Sequence, residues 1–221
     1  MNAAEELVEI EKRIENALWE SVETEDQEKA LKVYTTAKNE LLALEISGPK
    51  LSKERDRVMA YCLMRIDDAL VRLGDEEFAV ERAQEALQMA ERSEDVVQIA
   101  RCKMMLGARL MGIGKISEGD KYYGEVIKKH YDSDDIDLKQ AVGWTLLARG
   151  HLLIAKSLYN QAKLVFENAI GILRDIENWA GLRSAYSGLS KVCSILGMSE
   201  ESERASAMSK SYGERAKKEK Q

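Results

Sequence analysis

Proline is nearly missing from this chain: Pro49 is the only one in 221 residues. Loop-rich β proteins use proline at edges and turns, and disordered chains are enriched in it, so neither class fits. Cysteine is scarce as well. Cys62, Cys102 and Cys193 are odd in number, far apart and without a C-x-x-C pair. That argues against a disulfide framework or a zinc site and for the reduced thiols of a cytoplasmic protein. The two histidines, His130 and His151, form no metal-binding spacing and no nucleophile pairing that sequence supports. No charge-free apolar run approaches the ~18 residues of a membrane span. The longest candidate, "WTLLARGHLLIA", is broken by Arg149 and His151. The opening "MNAAEELVEIEKR" is acidic from its start and does not read as a signal or transit peptide.

What is present is helix-forming. The chain is 45% hydrophobic and 33% charged, rich in Ala, Leu, Glu, Lys and Arg, which lose little entropy in a helix. Apolar residues recur at helical spacing: Leu7, Ile10, Ile14, Ala17 and Leu18 form one stripe, and Ala30, Val33, Tyr34, Ala37, Leu41 and Leu44 another. Breaks such as "VETEDQ", "LGDEE", "GIGKIS", "DSDDID" and "GMSEES" separate such stripes. Ser52, Asp75, Ser93, Ser117, Asp134 and Ser199 stand where helix N-caps are expected. No segment alternates at period two, so the reading is ten helices and no sheet. Net charge is −6, which argues against nucleic acid as the default partner. That charge is uneven. Acids crowd the first 28 residues, from Glu5 to Glu28, and cations gather at Lys210, Arg215, Lys217, Lys218 and Lys220.

A small–large–small signature recurs. Its copies are Ala30-x3-Tyr34-x2-Ala37, Ala79-x3-Ala83-x2-Ala86, Gly119-x3-Tyr123-x2-Val126 and Ala162-x3-Phe166-x2-Ala169, with a weaker Ser202-x3-Ser206-x2-Ser209. The period is roughly 40 residues. Small residues let two antiparallel helices approach, and the large one fills the notch against the next helix. With Leu106-Gly107 and Gly150 upstream, these residues resemble the tetratricopeptide-repeat (TPR) family. "LGARLMGIGKISEGDKYYGEV" and "YNQAKLVFENAI" are the closest matches. The resemblance implies an all-α, right-handed α-solenoid of about five antiparallel helix pairs, one repeat domain over 1–221 with units 5–46, 52–93, 94–131, 134–175 and 178–219. An α-solenoid of another, longer repeat or an irregular bundle fits the same periodicity. Three departures stand out. The period exceeds the family's ~34 residues, Asp67 replaces an expected small residue, and Arg149 replaces an expected leucine.

Two stretches invite a chemical reading. "LGARLMGIGKISEGD" (106–120) places Gly112, Gly114 and Lys115 together. A phosphate loop G-x-x-x-x-G-K-[ST] needs glycine where Arg109 stands and Ser or Thr where Ile116 stands, and it needs a preceding strand. A dinucleotide G-x-G-x-x-G fails at Ser117. The stretch is therefore read as an inter-helix turn. "HYDSDDID" (130–137) resembles the start of a calcium loop, but Asp137 and Gly143 stand where Gly and Glu belong. It is read as an acidic turn capping the next helix. No catalytic constellation, cofactor or metal site is expected.

The TPR resemblance instead implies binding, because in that family the first helix of each pair lines a groove. That register selects Tyr61, Met64, Arg65 and Asp68 in the second unit, Arg101, Met104, Met105 and Met111 in the third, and Trp144, Leu147, His151 and Ile154 in the fourth. Methionine and tryptophan suit an apolar or amphipathic peptide. The family's clamp for carboxylate-ended chaperone tails is missing, since Met64, Asp68 and Met104 occupy its slots. The expected function is a non-enzymatic, cytoplasmic adaptor or scaffold for a protein or peptide partner. The rivals are a homo-oligomer that self-associates through its apolar helices, and a sensor of a peptide or small ligand.

Overall fold

The computed structural model describes residues 2–218 and contains ten helices in the order α1 (Ala3–Thr24), α2 (Gln27–Ala43), α3 (Pro49–Arg72), α4 (Ala79–Ser93), α5 (Val96–Gly112), α6 (Ile116–His130), α7 (Ile136–Ala155), α8 (Tyr159–Asp175), α9 (Trp179–Ile195) and α10 (Ser199–Lys218). Among the described residues there is no strand and no helix long and apolar enough to cross a membrane. Lys220, part of the basic end read from sequence, lies outside the described residues. The chain divides into two compact units, Met1–Gly119 and Asp120–Gln221. The boundary falls inside α6.

In the first unit each helix packs on its successor from α1 to α5, and α3 also touches α1 and α5. The second unit repeats the pattern: α7, α8, α9 and α10 pack in sequence, and α7 touches α9. First helices of successive pairs thus lie side by side. The small–large–small positions face inward. Ala30, Tyr34 and Ala37 are buried, as are Ala79, Ala83 and Ala86, then Tyr123 and Val126, then Ala162, Phe166 and Ala169. The serine copy behaves differently. Ser202, Ser206 and Ser209 are half-buried, and they tie α10 to α9 by hydrogen bonds, from Ser202 Oγ to Ser190 O at 2.9 Å and from Ser209 Oγ to Arg183 O at 2.9 Å.

The second unit shows why small residues are needed. A Cβ on Gly150 would lie 2.7 Å from the Phe166 ring, and one on Gly188 would lie 2.4 Å from it. One turn-pair further along α8, Leu173 meets Gly143 at 2.5 Å and Gly181 at 2.9 Å by the same measure. Two large residues seven apart on α8 therefore seat between glycine pairs seven apart on α7 and on α9. Seven residues is two helical turns, so all these contacts fall on single faces.

Five of the inter-helix turns share one geometry. At Gly74, Gly114, Ser157, Glu177 and Gly197 the backbone is left-handed. In each case the next N–H reaches a carbonyl five residues back at 2.9 Å: Asp75 to Leu70, Lys115 to Leu110, Leu158 to Leu153, Asn178 to Leu173 and Met198 to Cys193. This Schellman pairing satisfies the orphan carbonyls of a helix end. Gly112 and Gly114, the glycines of the supposed phosphate loop, end α5 in such a turn. Side-chain caps are made by Asp26, Asp95, Asp135 and Asn178. Several expected caps are therefore displaced. Ser93 sits inside α4 and instead accepts the Asp95 N–H at 3.1 Å, Asp134 yields to Asp135, and Ser52 and Ser117 lie within α3 and α6. At α5 and α7 the cap thus falls one or two residues later than expected, whereas α3 and α6 begin before the expected cap.

Replacing Gly188 with Ala should cost about 1–3 kcal/mol by overpacking against Phe166. Gly171→Ala, on α8 with open space around it, should instead gain up to about 1 kcal/mol from helix propensity. Urea denaturation of both variants checks the contrast. Burial pushes the Cys62 and Cys102 thiols up from 9.0 to about 12, so both should resist a thiol reagent at pH 8 until the protein unfolds. The same shift has a sign for stability. Between pH 9 and 12 these two thiols hold fewer protons in the unfolded chain, so stability should fall as pH rises through that window.

Candidate partner-binding faces

In the first unit the neighbours of Tyr61 define a surface shared by three first helices. The Arg65 guanidinium lies over the Tyr61 ring at 5.4 Å. Burial raises the phenol's pKa; the cationic Arg65 and Arg101 oppose that rise, and Glu15 and Glu11 reinforce it. Side chains of α1, α3 and α5 therefore meet around one ring. Arg65 also pairs with Asp68 at 3.1 Å. Arg57 on α3 makes a two-pronged bond to Glu11 on α1, at 2.7 and 2.5 Å, which raises its pKa. Tyr61, Arg65, Arg101, Met104 and Met111 all keep part of their surface open.

Met64 and Met105 do not. They are 3% and 5% exposed and belong to the core. Each turns toward a packed neighbour because the buried stripes of α3 and α5 are wider than the two-residue stripe of a coiled-coil seam, running over Val58, Met59, Cys62 and Leu63 and over Cys102, Leu106 and Leu110. Met111 is partly committed as well: its Cγ occupies the space a side chain on Gly119 would take, 2.6 Å from the ideal Cβ.

Beneath this face lies an ion-pair hub. Asp67 is fully buried. One carboxylate oxygen accepts from Arg82 Nε at 3.0 Å and the other from Arg109 Nε at 2.6 Å. Arg109 reaches on to Asp68 at 3.0 Å, and Arg82 donates to the carbonyls of Glu77 at 2.5 Å and Asp75 at 2.9 Å. Asp67 thus joins α3 to α4, α5 and the α3–α4 turn. A lone buried carboxylate would be prohibitively costly, and two arginines offset that cost.

The second unit presents Trp144 and His151 two turns apart on α7. Trp144 and Ile154 are half-buried and His151 is exposed at its rim, but Leu147 is core at 3% exposed. His151 stands edge-on to Phe166 at 5.2 Å. Burial, and then the Lys191 charge on α9, lower its pKa from the ordinary histidine value. The unexpected Arg149 pairs with Asp120 at 2.9 Å.

Sequence reading missed a further cluster, on α9 and α10. Trp179 stacks on Tyr212 at 5.8 Å, and Tyr186 stacks on the same Tyr212 at 5.5 Å, with the rings near parallel. Arg215 lies over Trp179 at 5.3 Å and over Tyr212 at 5.7 Å. Arg174 donates to the Tyr186 hydroxyl at 2.8 Å. The signal was present as an aromatic pair seven apart, Trp179 and Tyr186.

The whole-chain geometry is similar to solved helical-repeat proteins. BtubC (BKLC) from P. vanneervenii matches at a TM-score of 0.65 and 16% identity, over 98% of this chain and 93% of that one. Aspartyl phosphate phosphatase F from Bacillus subtilis matches at 0.70 and 14%, over 91% of this chain and 49% of that one, so this chain spans about half of it. A putative kinesin light chain from Podosopora anserina with TPR-like repeats matches at 0.63 and 10%, over 96% and 98%. No protein-family model matches the sequence, and no curated protein sequence matches it. The fold is therefore a TPR-like helical solenoid, with the similarity lying in structure rather than sequence.

Asp67→Ala should destabilise the protein by about 3–5 kcal/mol, because Arg82 and Arg109 are left half-buried without their acid. Arg149→Ala, which breaks a more exposed pair, should cost about 1 kcal/mol or less. Thermal and urea unfolding of the two variants check the ranking.

Proposed function

We propose that this chain is a protein-interaction module that holds a peptide or partner segment against the first helices of its repeats, and that it performs no chemistry of its own. The observation that carries this reading is the chemistry left open on those helices. Around Tyr61, α3 and α5 of one unit offer an aromatic ring, guanidinium groups and partly open thioethers, and α1 adds the carboxylates of Glu11 and Glu15. On α7 of the other unit Trp144 and His151 share a face, with Lys191 of α9 near enough to shift the histidine. Large aromatic and arginine side chains that remain partly open anchor partners well, since they bury much area with few rotors to fix. Met64, Met105 and Leu147 support this surface from below and are not part of it. The neighbours in fold include an aspartyl phosphate phosphatase and a putative kinesin light chain, and their fold alone is shared here.

Trp144→Ala and Tyr61→Ala should each reduce capture of partners from cell extract by tenfold or more, with melting temperature within a few degrees of wild type. Quantitative pull-down with mass spectrometry reads the result. Capture of the same partners at the same yield by wild type and both variants would sink the proposal.

A further inference from the structure

Two further surfaces, the first of them adjoining the Tyr61 face through Glu15, are matched in charge and chemistry. The first is the outer side of α1. Residues 2–28 hold ten carboxylates against two cations, Lys12 and Arg13. Val8, Trp19 and Val22 fall on one side of α1 at helical spacing and are 62%, 53% and 44% exposed. Glu15 lies among them, with Glu5, Glu9 and Glu23 along the rim, all exposed. A tryptophan half open to water on an acidic helix is a surface made to be covered.

The second surface is the ring stack of α9 and α10. Trp179 and Tyr186 are half-buried there, and the Arg215 guanidinium lies over the rings of Trp179 and Tyr212. The Arg183 stem runs beside Gly213 on α10. Lys210, Lys217 and Lys218 stand exposed on the same half of α10, with Glu214 the one acid among residues 208–218. Aromatic rings interleaved with cations accept an acidic, tryptophan-bearing helix both electrostatically and by stacking.

We infer that the chain associates with a second copy of itself head to tail, the acidic outer face of α1 in one copy docking on the aromatic–arginine face of α9 and α10 in the other. Charge complementarity selects this occupant: each surface presents the sign that the other lacks, and both carry aromatic rings that can stack. A 22-residue helix is about 33 Å long, and one face of it buries well under the ~1,200 Å² total of a firm complex. The association is therefore weak, in the range of tens to hundreds of micromolar, and salt-sensitive. Because the two patches differ, the contact is heterologous and leaves a free face at each end, so longer chains form at high concentration.

Sedimentation velocity of the full chain between 5 and 300 μM tests this. At 50 mM NaCl the weight-average mass should climb from 24.9 kDa to at least 1.5 times that value, and at 500 mM NaCl it should return to the monomer. Charge reversal gives the decisive arm. One variant carries Glu9→Lys with Glu23→Lys, and the other carries Lys217→Glu with Lys218→Glu. All four sites are exposed, and circular-dichroism melts verify that both variants fold. Each alone should stay monomeric, and an equimolar mixture should recover association, because the unaltered α9–α10 face of the first variant meets the unaltered α1 face of the second. A wild-type mass that stays flat over the whole range overturns the inference. So does association that persists in 500 mM NaCl, or a mixture no heavier than its components.

Discussion

The packing of the second unit turns on one spatial constraint: a large side chain on one helix must enter neighbours that have no room to spare. Phe166 and Leu173 on α8 show the solution most plainly. Each occupies the space where a Cβ would stand on two glycines, one from α7 and one from α9. The interior is packed as densely as an organic crystal, so the tolerance is a few tenths of an ångström. The glycine spacing sets how closely α7 and α9 approach α8, and with it which first-helix residues remain on the surface. Trp144 is half-buried and His151 exposed, while Leu147, between them on the same helix, is turned inward.

The first unit solves the same problem with charge at one place. Asp67 stands where the resemblance calls for a small residue, and the space is filled by a carboxylate with two arginines. Buried ion pairs seldom add much net stability, but they are intolerant of a missing partner. The hub therefore acts as a geometric requirement: α3, α4 and α5 must be present together for Asp67 to be satisfied. Arg82 extends that requirement to the α3–α4 turn, whose residue Phe78 is held at φ +59 and left 61% exposed.

Much of the architecture was legible from the residues. Helical periodicity, the lone proline and the recurring small–large–small triplet imply ten helices, and the spacing of Gly112, Gly114 and Lys115 excludes a phosphate loop. Caps were less legible, because a serine such as Ser93 can serve the next cap rather than be one. The candidate surface was read only in outline. On a helix a single residue step turns the side chain by about 100°, so Met104 and Met105 differ entirely in fate although they are adjacent and chemically identical.

Sequence alone determined what kind of elements form and which small residues lie between them, because both follow from local periodicity and side-chain size. It also determined where the charge is unbalanced along the chain. Tertiary structure decided which methionines are core, which arginines are consumed by Asp67 and Asp120, and that Trp179, Tyr186 and Tyr212 form one stack. These outcomes depend on residues up to 42 positions apart, as Asp67 and Arg109 are. Such pairs meet only once helix packing has fixed their distance, and no local pattern encodes that.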